Sequence, residues 1–106
     1  VIAQKQTRHT AYFWRQVEVE LEQCPAEKLT AGLNYLEEYF IVDIALDEEE
    51  TEDYRHKLHK IHEKPIIEQI KPIKTLLKDV RRADVAIALR EFGFAPERIK
   101  ELLKLP

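Results

Sequence analysis

The chain has 106 residues, carries a net charge of −3, and is 44% hydrophobic and 35% charged. This length suits one domain, since domains typically contain roughly 100–150 residues. The sequence has no Ser, two Gly and one Cys, which excludes a Ser-His-Asp triad, a glycine-rich phosphate loop and an internal disulfide. A lone cysteine is typical of a reducing compartment, so we expect a cytoplasmic protein. No apolar run approaches the roughly 20 residues that span a bilayer, and we expect no membrane contact.

Charge is distributed unequally along the chain. Residues 1–53 contain four Lys or Arg against thirteen Asp or Glu, a balance of −9, whereas residues 54–106 contain thirteen against seven, a balance of +6. Such polarity indicates a basic surface for an anionic partner, or oppositely charged faces that pair with each other.

Apolar residues recur at helical spacing through the first half of the chain. Steps of three and four run from Ala3 to Cys24 and predict a first helix. Pro25 suits the first position of a second helix, which we expect to continue to about Leu46.

Asp47 resembles the N-cap of a third helix, and Glu50 stands at the capping-box position three residues later. This helix is expected to end near Lys64, because Pro65 disfavours helical backbone in the residue before it.

Prolines and a glycine divide the second half of the chain. Pro65 begins a predicted fourth helix, which Pro72 is expected to kink or split. Asp84 is expected to cap a fifth helix that stops at Gly93, and Pro96 begins a short sixth helix. The sequence therefore predicts an all-α fold, a compact bundle of five to six helices with short connections and a single domain over residues 1–106.

Cations cluster on one edge of the fourth helix. On a helical wheel six of them fall within an arc of about 100°, and these are Lys64, Lys71, Lys74, Lys78, Arg81 and Arg82. A row of cations can follow the phosphates of a nucleic acid or another polyanion, with contacts mainly to the backbone. Alternatively the row is an ordinary solvated face, answered by the acidic run Glu48–Glu50, Glu52 and Asp53.

The end of the chain has the spacing of a helix-turn-helix motif at Leu89, Gly93, Ile99 and Leu102. The position that is usually small in that motif is Leu89, and the would-be recognition helix lacks Asn, Gln and Ser to read bases. A helical hairpin with a glycine turn explains the same residues, and we favour it.

Three histidines, His56, His59 and His62, stand three residues apart on the predicted third helix. They are the weak metal-ligand candidates of the chain, because imidazole binds zinc, nickel and copper. Their side chains spread over about 120°, too far for one ion to hold all three. We expect no metal and no cofactor, and a polar helix flank is the alternative interpretation.

No constellation predicts catalysis. Glu37 and Glu38 adjoin Asp43, but neighbouring carboxylates on a helix point about 100° apart. Cys24 falls on the apolar face of the first helix, where a thiol behaves as a small apolar group. The chain is therefore not expected to be an enzyme.

Apolar residues outside the predicted core stripes indicate an interface. On the first helix they lie opposite Trp14, and on the second they form a separate stripe; the set comprises Tyr12, Val19, Tyr35, Tyr39, Val42 and Leu46. A helix that is apolar around most of its circumference is either covered by another chain or central in its own bundle. Both alternatives stay open here.

Our leading hypothesis from the sequence is a non-catalytic helical protein that self-associates or docks into a larger assembly through apolar and charge-complementary faces. The alternative is a protein that binds the nucleic-acid backbone with the basic edge of the helix around residues 64–82. A histidine-based metal protein is the third hypothesis.

Overall fold

The computed structural model describes residues 2–44 and 47–104, the first nine of them as helical backbone. Its six α-helices are α1 (Ile2–Glu22), α2 (Ala26–Glu38), α3 (Glu48–Glu63), α4 (Ile66–Lys78), α5 (Val85–Glu91) and α6 (Pro96–Leu103). A π-helical turn over Tyr39–Asp43 extends α2, and a 3₁₀ turn over Arg82–Asp84 precedes α5. The described part of the chain contains no strand. The prediction of an all-α bundle is confirmed.

Two predicted features of the third and fourth helices have different outcomes. The Asp47 carboxylate accepts a hydrogen bond from the Glu50 N–H at 2.8 Å, so Asp47 caps α3 as the sequence predicts. Pro72 does not split the fourth helix, because α4 continues without interruption from Ile66 to Lys78.

Asp84 does not cap α5, and that prediction is wrong. An N-cap residue has extended backbone, but Asp84 has φ −104° and ψ −5° because it ends the 3₁₀ turn. Its carboxylate instead accepts a hydrogen bond from the Tyr39 hydroxyl at 2.9 Å.

The second helix lies at the centre of the bundle. It packs against α3, α4 and α5, and its buried residues include Leu29, Leu33 and Leu36. The first helix packs on α4 and α6, with Val17 and Leu21 fully buried. Side chains from all six helices contribute to one hydrophobic core.

A glycine turn joins α5 to α6. Gly93 has φ +93°, a conformation that favours glycine because it has no Cβ. The Gly93 N–H donates to the Arg90 carbonyl at 2.9 Å and the Phe94 N–H donates to the Leu89 carbonyl at 3.2 Å, which is the Schellman pattern. Gly93 therefore ends α5 as the sequence predicts. In α6, Arg98 pairs with Glu20 of α1 at 2.8 Å.

Candidate polyanion-binding edge

The six predicted cations form a surface that we call the basic edge: Lys64, Lys71, Lys74, Lys78, Arg81 and Arg82. All are exposed except Lys74, which is half-buried. Helix α4 places Lys71, Lys74 and Lys78 three and four residues apart, so they follow one side of the helix. The other three cations do not lie on this helix: Lys64 ends α3, and Arg81 and Arg82 belong to the turn that precedes α5. The prediction of six cations on one helix edge is therefore wrong, and α4 itself carries three of them.

Glu18 of α1 lies beside this edge and forms an ion pair with one of its lysines, Lys74. Its carboxylate accepts a hydrogen bond from Lys74 Nζ at 2.8 Å. That hydrogen bond lowers the pKa of the Glu18 carboxyl below its ordinary value, against the opposing effect of burial. The charges of Lys71 and Arg15 lower the same pKa further. One carboxylate thus lies among three cations.

Arg15 is a member of this surface that the sequence did not reveal. It lies on α1 and is exposed, and its charge acts on Glu18 together with that of Lys71. Nothing in the local spacing of residues connects α1 with α4, so only the packing of the two helices identifies it.

The two carboxylates of the segment after α4 each accept a hydrogen bond from a tyrosine. Asp79 accepts a hydrogen bond from the Tyr54 hydroxyl at 3.1 Å, and Asp84 accepts one from Tyr39. The Tyr39 hydroxyl in turn accepts a hydrogen bond from the Arg81 N–H at 3.0 Å. Tyr54 and Tyr39 thus bind the two carboxylates of this segment, and Tyr39 also binds one of its backbone N–H groups. The neighbouring cations are exposed.

Aromatic packing supports this arrangement from within the bundle. The Phe40 and Tyr54 rings stack with centroids 4.3 Å apart, and Tyr39 meets Phe40 edge to face at 5.2 Å. Burial, together with the hydrogen bond to Asp79, raises the pKa of Tyr54 to about 12. These contacts keep the tyrosine hydroxyls protonated and in place as donors to the two aspartates.

The predicted interface residues separate into four groups, of which the buried one is Tyr39. Tyr12, Val19 and Val42 are exposed, whereas Tyr35 is half-buried and packs against the core. Leu46 lies outside the described residues.

The placement of Tyr39 on an exposed interface stripe is wrong. Only 2% of this residue is exposed, because α2 and the turn that extends it are central in the bundle. The chain itself covers the second apolar stripe of α2 at Tyr39, whereas Val42 of the same stripe stays exposed.

The histidines lie on the exposed side of α3, along a shallow depression of about 410 Å³ that Glu37, Glu52 and Arg55 also line. His59 Nε2 lies 2.8 Å from a Glu63 carboxylate oxygen, one turn along the same helix. Within the described ranges, no group of three or more His, Cys, Asp or Glu is placed to hold a metal ion.

The other candidates for chemistry do not converge. Glu38 and Asp43 are exposed. The half-buried Cys24 donates through Sγ to the Glu20 carbonyl at 3.4 Å, and burial raises the pKa of its thiol, which disfavours the reactive thiolate.

Comparison of the chain with protein-family models, with curated proteins and with solved structures finds no match. Among the described helices, none is both long and apolar enough to cross a membrane. The geometry of the basic edge is thus the basis for a functional conclusion.

Proposed function

We propose that this chain is a non-catalytic helical protein that binds a polyanion through its basic edge. The observation that carries the proposal is the separation of charge on the segment Lys78–Asp84. Its two aspartates accept hydrogen bonds from Tyr54 and Tyr39; Asp84 is half-buried, and Asp79 is exposed, as are the cations Lys78, Arg81 and Arg82. Tyrosine hydroxyls thus fix both carboxylates in place, whereas the side chains of Lys78, Arg81 and Arg82 form no ion pair with the described residues.

The arrangement suits a chain of phosphates. Lys71 and Lys78 are two turns apart on α4, about 10 Å along the helix axis, and Arg81 and Arg82 follow directly after the helix. Lysine ammonium groups act as point charges on phosphate oxygens and carry no information about sequence. We therefore expect contact with the polyanion backbone, driven by the release of counterions.

The test is binding of a fluorescent mixed-sequence nucleic acid, measured by anisotropy between about 50 and 200 mM salt. The variant combines Lys71→Gln, Lys78→Gln and Arg82→Gln. We expect the slope of log K against log salt to become shallower by about 2–3, since each lost phosphate contact removes about 0.7–0.9.

The matched control removes three exposed cations elsewhere, by Lys60→Gln, Lys100→Gln and Lys104→Gln. It has the same net charge as the first variant and is expected to bind almost as the parent does. Equal losses in both variants, or no binding by the parent at about 50 mM salt, would contradict the proposal.

A second candidate function is self-association or docking into a larger assembly. It is favoured by the exposed acidic start of α3, which carries the charge opposite to that of the basic edge; its residues are Glu48, Glu49, Glu50, Glu52 and Asp53. In this alternative the acidic surface of one molecule meets the basic edge of the next.

Light scattering distinguishes the two functions. Association between copies through opposite charges should appear at about 50 mM salt and disappear at about 1 M, where the screening length falls to about 3 Å. A monomer under both conditions would remove self-association and leave the proposal of polyanion binding intact.

A further inference from the structure

Tyr12 is the exposed aromatic residue of the described chain. The sequence contains nine Phe, Trp and Tyr residues, and Tyr12, 53% exposed, is the one among them that lies open to solvent. The neighbouring rings of Phe13 and Trp14 pack against each other edge to face at 4.9 Å, with Trp14 buried. The opposite side of α1 therefore packs into the core, and the ring of Tyr12 is accessible to a ligand.

The position of Tyr12 relates it to the basic edge. Tyr12 and Arg15 are three residues apart on α1, so their side chains are neighbours on the helix surface. One turn further along α1 from Arg15, Glu18 contacts Lys74 of α4 at 2.8 Å. Tyr12 is six residues from Glu18, about 9 Å along the helix axis and about 120° around it, so a strand held by the cations of α4 reaches the ring by passing Arg15.

An exposed ring beside a row of cations has the chemistry of a single-stranded nucleic-acid site. Phosphates follow the cations, and a base stacks on the aromatic ring, which tolerates every sequence because every base has a flat π-face. A duplex keeps the faces of its bases stacked on one another, so it would engage the cations and leave the ring unused.

We propose that the polyanion bound by the basic edge is single-stranded nucleic acid, with one base stacked on Tyr12 next to Arg15. This inference rests on the proposed function and extends it to the class of ligand. Tyr12 belongs to the binding surface in this scheme, and the cations of α4 hold the strand that leads to it.

The experiment compares three labelled probes by anisotropy: a single strand of about 15 nucleotides, the duplex of the same sequence, and inorganic polyphosphate, which has no bases. The variants are Tyr12→Ala and Tyr12→Phe. Val19→Ala is the matched control, since Val19 is exposed and lies two turns further along the same face of α1.

We expect Tyr12→Ala to weaken binding of the single strand by about fivefold or more, which is the lower end of the contribution of one base–aromatic stack. Binding of polyphosphate and of the duplex should stay unchanged in this variant. Tyr12→Phe keeps the ring and should bind the single strand as the parent does, and Val19→Ala should match the parent with all three probes.

The possible failures are distinguishable. A Tyr12→Ala variant that binds the single strand with parental affinity, or that loses equal affinity for polyphosphate, overturns the stacking inference while the triple variant of the basic edge still tests the proposed function. A parent chain that binds none of the probes overturns both. Far-UV circular dichroism of each variant confirms the helical fold, and the exposure of Tyr12 predicts that the fold persists.

Discussion

Gly32 on α2 is a residue whose smallness the bundle requires. The ring of Phe92, from the end of α5, lies against it so closely that a Cβ at this position would overlap Phe92 Cγ and Cδ1. Alanine normally stabilises a helix interior by about 1 kcal/mol relative to glycine. Here the overlap should outweigh that gain, because both residues are buried and the ring has no free space. We expect Gly32→Ala to lower the free energy of unfolding by about 1–3 kcal/mol, measured by urea denaturation.

Two further variants check the cause of this loss. Asn34→Ala changes an exposed position of the same helix and should raise stability by a few tenths of a kcal/mol through helix propensity alone. Phe92→Leu combined with Gly32→Ala should recover part of the loss, because leucine leaves room for the new methyl group. A Gly32→Ala variant more stable than the parent would show that the two helices separate without cost.

Tyr54 makes the stability of the bundle sensitive to alkaline pH. Burial, then the hydrogen bond to Asp79, raises its pKa from 10.0 to about 12. Because the folded state holds this proton more tightly, the stabilising effect is complete below pH 10 and is lost as the pH rises toward about 12. Urea denaturation of Tyr54→Phe should therefore show a shallower decline over this interval than that of the parent. Parallel declines would assign the alkaline loss to other groups.

Single residues also show where inference from sequence stops. A helical wheel places Tyr39 on a second apolar stripe of its helix, but it does not say which neighbour lies on that side. The neighbour is the segment after α4, which supplies the Arg81 N–H and the Asp84 carboxylate to one hydroxyl. These partners are more than 40 residues away in the chain, so no local pattern contains them.

The start of α3 depends on one cap. Asp47 accepts a hydrogen bond from the Glu50 N–H at 2.8 Å, and its negative charge also stabilises the helix N-terminus. Asp47→Ala should lower the free energy of unfolding by about 1 kcal/mol, or about 4 °C in Tm for a domain of this size. Asp47→Asn, which keeps the acceptor, should retain most of the stability.

Asp53→Ala is the control for this cap. Asp53 is exposed within the same helix, and its substitution removes the same charge. It should change Tm by less than Asp47→Ala does. Equal changes in the two variants would indicate that charge, and not the hydrogen bond, is what the first turn needs.

Most helix ends could be predicted because they depend on local chemistry. Pro25 and Pro96 stand at starts, Asp47 at a cap and Gly93 at a C-terminal turn, and each acts through its own backbone or side chain. The turn over Tyr39–Asp43 could not be predicted in this way. The Ile44 N–H donates a hydrogen bond to the Tyr39 carbonyl, five residues earlier, at 3.0 Å. In an α-helix the same bond spans four residues, and the apolar stripe of this short segment does not distinguish the two spacings.

At the scale of the whole molecule, the sequence predicts part of the basic edge and none of its surroundings. Lys71, Lys74 and Lys78 could be recognised from a wheel, because they lie on one helix and a wheel needs only local geometry. The wheel misplaces Lys64, Arg81 and Arg82, because α4 begins after Lys64 and ends at Lys78. The ion pair of Lys74 with Glu18, which removes one cation from the edge, joins residues 56 positions apart. The packing of α1 that forms this ion pair also brings Arg15 to the same surface. The packing of α1 on α4 therefore decides which charges the surface presents.

Trp14 offers a direct measure of how firmly α1 is held in the bundle. It is the one Trp of the sequence, it is buried, and it lies on the helix that Lys74–Glu18 and Arg98–Glu20 fasten to α4 and α6. Because side chains of all six helices share one core, we expect Trp14 fluorescence and far-UV circular dichroism to show coincident unfolding in urea. A fluorescence transition at lower urea would mean that α1 detaches first.

Glu18→Gln tests the same coupling through charge. The Lys74 hydrogen bond lowers the pKa of Glu18 below 4.5, so its contribution is present above pH 4.5 and is lost as the pH falls through the lowered value. At neutral pH we expect Glu18→Gln to lower stability by about 0.5–1 kcal/mol and to shift both signals together. The difference from the parent should vanish in acid, whereas Glu22→Gln, exposed on the same helix, should change little at either pH. If Glu18→Gln shifts the fluorescence signal alone, α1 and the rest of the bundle unfold as separate units.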